Sequence, residues 1–277
     1  MRVRSVMFIV VGLCMLGGLV AGFFTHSIEA ALTVQSVNVA RQTNGNGAKP
    51  DPTATRGGTT GQPVKTATPG PSVTPTTATN GAVVLAKDTF RRAAQVFWGT
   101  ASDGRMWTGD ANSIEVFSIV NGAGQIDHAQ GAFNAVLGAL NTNAEVLVTG
   151  SVNQFVAGGK VNLGVVLRWT DTNNWYKALI DGTNLQILSR VNGVTTSLAL
   201  MPFPAQGGVT YNLRFRVMGA NLFARAWQNG QPEPTTWMLM VANTSLTQGM
   251  GGVRVLVQTA TVVRVTSFLE TSLGPVA

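Results

Sequence analysis

From Val83 to the C-terminus the chain repeats one pattern: short runs of alternating apolar and polar side chains, each ending in Gly, Asn, Asp or Thr. Alternation with a period of two marks half-buried strands. No segment there carries an amphipathic stripe at the 3.6-residue helical period. Within Tyr211–Val217, residues Tyr211, Leu213, Phe215 and Val217 point one way and Asn212, Arg214 and Arg216 the other. Val253, Val255 and Val257 likewise oppose Arg254, Leu256 and Gln258. Such strands build antiparallel sheets with one buried and one wet face. Leu163–Leu167 is apolar on both faces, as a central strand would be.

Strands are predicted near Val83–Lys87, Ile114–Val120, Gly124–His128, Asn134–Leu137, Ala144–Ser151, Leu163–Thr170 and Trp175–Asp181. More follow near Asn184–Val191, Thr196–Leu200, Thr210–Met218, Leu222–Gln228, Trp237–Val241, Gly252–Val257 and Val262–Phe268. Asp181-Gly182-Thr183-Asn184, Asn192-Gly193, Gly219-Ala220-Asn221 and Asn229-Gly230 supply residues that accept positive φ, so they predict hairpin turns. Gly131–Leu140 (GAFNAVLGAL) also fits a turn or two of helix. Gly249-Met250-Gly251-Gly252 reads as a tight turn feeding a strand. The expected fold of residues 83–277 is all-β, a two-sheet antiparallel jelly-roll sandwich of single-domain size.

Composition narrows the function. Charged residues are 11% of the chain, against about 25% in an ordinary soluble domain. The single Cys14 excludes a disulfide scaffold or a Cys-based zinc site, and two histidines, His26 and His128, argue against a His-cluster metal centre. The net charge is +7, but residues 83–277 carry thirteen basic against ten acidic side chains. That density is too low for a nucleic-acid partner. Arg214, Arg216, Arg225 and Arg254 can share a patch on one sheet face; a solvated face is the default reading, and an anionic wall polymer is the partner such a patch would suit.

Residues 1–30 read as an export signal. Arg2 and Arg4 precede an uncharged run from Val6 to Phe24; as a helix it would span about 28 Å, close to a bilayer's hydrocarbon thickness. Two readings stand: a signal peptide cut after Ala30, or an uncleaved membrane anchor through residues 6–24. Both place the rest of the chain outside the cell. Leu13 before Cys14 disfavours a lipoprotein. Residues 31–82 form a stem and linker. From Arg41 to Ala82 there are 11 Thr, 7 Gly and 6 Pro and no aromatic residue, a composition unable to offset its ordering entropy. The predicted setting is secreted or displayed at a bacterial cell surface.

Several segments then carry a family resemblance: Asp88-Thr89-Phe90, Trp98-Gly99-Thr100-Ala101, Gly104-Arg105-Met106-Trp107, Leu167–Tyr176 (LRWTDTNNWY), Ala226-Trp227-Gln228 and Gln231–Trp237 (QPEPTTW). Taken in order, they resemble the concanavalin A-like lectin/glucanase (laminin-G-like) jelly rolls of exported bacterial proteins with Thr/Pro-rich linkers. The resemblance spans nearly all of residues 83–270. It implies the same sandwich, and a prior towards carbohydrate, since function varies widely on this fold.

The acids argue against an enzyme. Glycoside hydrolysis needs two carboxyl groups about 5–10 Å apart. The Glu-x-Asp-x-x-Glu cluster of the laminarinase-like branch is absent, and no two acids of the domain lie within four residues. Asp171 and Asp181, which flank one strand, are the one pair considered; their ordinary role is turn formation. His128 has no Gly-x-Ser-x-Gly nearby. Sugar sites stack rings on Trp or Tyr and bind hydroxyls through Asp, Asn, Gln and Arg. The candidate ligand residues are Trp107, Arg168, Asp171, Asn173, Asn174, Trp175, Tyr176 and Trp237, although for each Trp alone core packing is the commoner role. Alternation puts one of Trp175 and Tyr176 in the core and the other outside. Calcium stays open: Asp171, Asn173 and Asp181 would supply oxygens, and an Asx turn is the competing reading. The expected function is a non-catalytic carbohydrate-binding module recognising a polysaccharide or cell-wall glycan. The alternative is an envelope protein that self-associates through its jelly roll.

Overall fold

The computed structural model describes residues 82–274. The expected signal or anchor, its apolar run at residues 6–24 and nearly all of the expected linker lie outside the described residues.

The first strands are β1 (Val84–Asp88), β2 (Gln95–Val96), β3 (Thr108–Gly109), β4 (Phe117–Val120), β5 (Ala123–Ile126), β6 (Gly131–Asn141) and β7 (Ala144–Val152). The middle of the domain adds β8 (Leu163–Asp171), β9 (Asn174–Ile180), β10 (Asn184–Val191) and β11 (Val194–Pro202). It closes with β12 (Thr210–Met218), β13 (Asn221–Gln228), β14 (Leu239–Ala242), β15 (Gly249–Val257) and β16 (Val263–Ser272). A single 3-10 turn, Asp110–Asn112, interrupts the strands among the described residues.

Two antiparallel sheets result. One has nine strands in the order β14-β13-β12-β7-β16-β5-β4-β2, with β1 beside β16. The other has seven, in the order β11-β10-β9-β8-β15-β6-β3. Hairpins supply neighbours near the sheet edges, while the central pairs β7–β16 and β8–β15 join distant parts of the chain. This is the expected sandwich. Doubly apolar β8 is the fourth of seven strands, as its composition demands. Asn192 (φ 49°) and Gly193 (φ 83°) turn the β10–β11 hairpin through the left-handed region.

The structure extends and corrects the strand reading. Gly131–Asn141 is one eleven-residue strand, not a helical turn, because its pairing with β15 satisfies the backbone along its length. The short strands β2 and β3 carried no periodic signal. Gly249 begins β15 itself, so the Gly-rich run is strand rather than turn. A side chain at Gly251 would meet the Glu270 carboxyl at 2.6 Å.

Core packing places Trp107. It is 1% exposed, stands 4.9 Å from the Trp98 ring and 5.1 Å from Phe268, and donates its indole N–H to Asp88 Oδ2 at 2.7 Å. Asp88, fully buried, also accepts from the Phe90 N–H (2.8 Å) and from both Arg92 Nη atoms (2.8 and 3.0 Å). Trp107 is thus a core anchor, not a ligand residue. Trp107→Phe should lower stability by about 2 kcal/mol, from lost packing and one lost hydrogen bond to a buried carboxylate. Urea titration checks this; an unchanged midpoint would mean the aromatic cluster is less cooperative than its geometry requires.

Candidate functional site

The outer face of the seven-stranded sheet gathers the most chemistry. In β9 Tyr176, Ala178 and Ile180 enter the core, so Trp175, Lys177 and Leu179 face outward. Antiparallel pairing with β10 sets Arg190 opposite Trp175. From β15, two strands away, Arg254 reaches across Gly164 and Val166 of β8. Its guanidinium carbon lies 4.7 Å from the centre of the Trp175 ring. The Trp175 ring is fixed by an indole N–H bond to the Thr172 carbonyl at 3.1 Å. The indole therefore works as a platform that orients Arg254. Trp175 is buried while Arg190 and Arg254 remain half-buried above the sheet.

The β8–β9 turn forms one end of this face. Asp171 accepts from the Asn173 backbone N–H at 2.7 Å and from the Asn174 side-chain amide at 3.1 and 3.0 Å. These bonds, the Asn174 amide foremost, hold the Asp171 carboxyl below its ordinary pKa. Asn174 Oδ1 accepts from the Asn192 N–H at 2.9 Å, and the Asn173 carbonyl from the Gly193 N–H at 3.1 Å. Arg190 donates to Thr195 Oγ1 at 2.9 Å and approaches Asn173 Oδ1 at 3.5 Å. Two neighbouring hairpin tips are tied together in this way, and Asp171, Asn173, Asn174 and Trp175 do meet as the sequence suggests.

The other candidates go elsewhere. Tyr176 is fully buried; it donates its hydroxyl proton to Asn243 Oδ1 at 2.6 Å and accepts from the Leu246 N–H at 2.9 Å. Arg168, at a bulge in β8 with φ 51°, is 5% exposed. It donates to the carbonyls of Thr142 (3.1 and 2.8 Å), Gly219 (2.7 Å) and Leu246 (2.5 Å). Burial pulls its pKa down. These donors are spent on three loops around a cleft of about 310 Å³, so Arg168 and Tyr176 act as scaffold. Asp181 lies at the far end of seven-residue β9 from Asp171, roughly 20 Å away at strand rise. It caps its own turn, accepting from the Thr183 and Asn184 N–H groups at 2.9 and 2.7 Å and from Gln186 at 2.8 Å. The geometry therefore separates the calcium set Asp171, Asn173 and Asp181, and the carboxylate pair with it. A strand's two ends cannot meet across the hairpin that begins at one of them.

Trp237 sits on the nine-stranded sheet, between Arg216 (4.9 Å) and Arg225 (4.4 Å). Arg225 and Arg214 both pair with Glu233, at 2.5 and 2.6 Å, and Arg216 pairs with Glu145 at 2.6 Å. Arg214 also binds Glu145. This is a closed ion-pair network of three arginines and two glutamates. The expected four-arginine patch is therefore split: three members are compensated here, and Arg254 stands on the opposite sheet. Lys177, Arg190, Asn134 and Asn162, not singled out in the sequence, join it there.

No protein-family model and no curated protein sequence matches the chain. Among solved structures, the chain is similar to a xylan β-1,4-xylosidase from Bacillus halodurans, at 14% identity and TM-score 0.51, covering 67% of this chain and 39% of that one. The chain thus spans about two-fifths of that enzyme. It is also similar to the carbohydrate-binding module CBM66 from Bacillus subtilis (16% identity, 57% of this chain, 91% of that chain, TM-score 0.44). A third likeness is to the exoplasmic/lumenal domain of VIP36 in its Ca²⁺-bound form (9% identity, 66% of this chain, 91% of that chain, TM-score 0.47). The xylosidase likeness shows the β-sandwich fold.

Proposed function

We propose that this domain is a non-catalytic carbohydrate-binding module whose ligand lies on the outer face of the seven-stranded sheet, beside the Asp171–Asn174 turn. One observation carries the reading: the Trp175 ring beneath Arg254, a second half-buried arginine at Arg190 and several amide side chains converge at one place. Sugar recognition needs fixed hydrogen-bond donors and acceptors of this kind. Fold analogy adds a prior only; part of a xylosidase shares the sandwich.

The test is a pull-down of the purified chain on a panel of insoluble neutral and acidic polysaccharides. Trp175→Ala should weaken binding at least tenfold by releasing Arg254. Circular dichroism checks that the variant keeps its fold. Retention on every polymer equal to that of a non-binding control protein would overturn the reading. A second reading has its own observation: β11 is a sheet edge, uncharged over nine residues, with Val194 and Leu200 exposed. Such an edge can template self-association. Concentration-dependent sedimentation with no glycan retention would favour that envelope-protein role.

A further inference from the structure

The outer face of the seven-stranded sheet holds three basic side chains, Lys177, Arg190 and Arg254, and among the described residues none of them forms an ion pair with a carboxylate. The contrast with the opposite sheet, where Arg214, Arg216 and Arg225 are all paired, is what makes this arrangement informative. Lys177 is 4% exposed. It lies flat over β8 because Gly164 has no side chain: a Cβ there would stand 2.3 Å from Lys177 Cε. Its ammonium then donates to Asn162 Oδ1 at 2.7 Å, a neutral acceptor. Burial, with repulsion from Arg254, holds the lysine well below the usual amine range. Arg254 is itself pulled down to about 10 by burial and by Arg190, against the pull of Asp110. Asp110 gives only partial relief, since its carboxylate accepts from the Asn134 backbone N–H (2.8 Å) and side-chain amide (3.1 Å).

Like charges gathered without a counterion are costly unless something arrives to compensate them. Arg254 presents a suitable fork. One Nη is engaged by Asn134, and among the described residues its Nε and other Nη donate to nothing. A guanidinium edge of that kind matches two oxygens of one oxyanion. We infer that the ligand of this face is an anionic glycan, whose carboxylate or phosphate oxygens bind Arg254 and Arg190 above Lys177. The inference rests on the carbohydrate-binding reading and specifies its ligand class.

The experiment measures affinity of the full chain for soluble polygalacturonate, for a poly(glycerol phosphate) and for a neutral galactan, at low and high salt. The acidic polymers should bind at least tenfold tighter than the galactan, and high salt should erase most of that preference. Whichever acidic polymer binds more tightly identifies the oxyanion. Because the whole chain is basic, variants supply the specific readout: Arg254→Gln and Arg190→Gln should each weaken acidic binding about tenfold, while Arg91→Gln, at an exposed position outside the face, should not. Equal affinity for galactan and both acidic polymers would overturn this inference and leave the carbohydrate reading standing. Equal losses from Arg91→Gln and Arg254→Gln would reduce the effect to net charge and overturn it too. No binding of any of the three would overturn the inference and would count against the carbohydrate reading, which the wider panel decides.

Discussion

Raising the pH from 5 to 8 should destabilise this domain steadily, and Glu270→Gln should abolish most of that dependence. Glu270 points from β16 into the space between the sheets and is fully buried. Neither carboxyl oxygen has a hydrogen-bond partner among the described residues. The carboxyl fits only because Gly138 and Gly251 face it without side chains: a Cβ at either would come within 2.8 Å. Around it are Ala86 and, on the same inner face of β1, the buried carboxylate of Asp88, which other donors already occupy. Arg105 is the one cation that favours ionisation. Burial dominates and lifts the Glu270 pKa from 4.5 to about 8. The folded protein therefore keeps a proton that the unfolded chain releases above its ordinary carboxylate pKa. The contribution of Glu270 is full below pH 4.5, falls by up to about 1.4 kcal/mol per pH unit between 4.5 and 8, and levels above 8. The loss sums to roughly 5 kcal/mol as an upper figure. Urea midpoints at each pH check it. Glu270→Gln should give a flatter profile and greater stability than the native chain at pH 8. A native profile that is already flat would mean that solvent or a partner reaches the carboxyl.

That buried acid illustrates what a sequence read alone can and cannot convey. Period-two alternation exposes local facts, so the strands β8 to β10, β12 and β13 and their Gly/Asn turns were legible. Alternation also put Trp175 and Tyr176 on opposite faces. Counting back from the Gly182-Thr183 turn even places Arg190 opposite Trp175, although only the aromatic was singled out. What stayed hidden depends on crossed connections. Glu270 reads as one more polar residue near a terminus until β16 is set beside β1 and β7. Arg254 groups with Arg214, Arg216 and Arg225 by strand pattern, yet β15 pairs with β6 and β8, so it joins the other sheet. Nothing local to residues 249–257 reveals which sheet they enter. Trp107 and Arg168 failed as ligand residues for a related reason. Each has a polar head that suits a sugar, but the fold gives that head an internal partner.

For Arg168 that partner is the backbone of three loops, and Arg168→Met should therefore unfold the loop end of the sandwich before anything else. The guanidinium is the shared donor for the Thr142, Gly219 and Leu246 carbonyls, which belong to the β6–β7, β12–β13 and β14–β15 connections. Methionine restores much of the volume and none of the donors. Three carbonyls, two of them on the exposed loop residues Thr142 and Gly219, lose a charged donor, at a cost of roughly 4 kcal/mol after partial rehydration. For a domain of this size that corresponds to a fall in Tm of roughly 10 °C. Amide exchange gives the sharper signature: protection should drop at residues 142–143, 219–220 and 243–247 while β8, β9 and β15 keep theirs. Affinity for an acidic glycan at 20 °C should stay within threefold of the native value, because the arginine faces the loop cleft and not the Trp175 platform. A variant with native Tm but no glycan affinity would reverse the assignment, making Arg168 a ligand residue and the 310 Å³ cleft beside it the binding site.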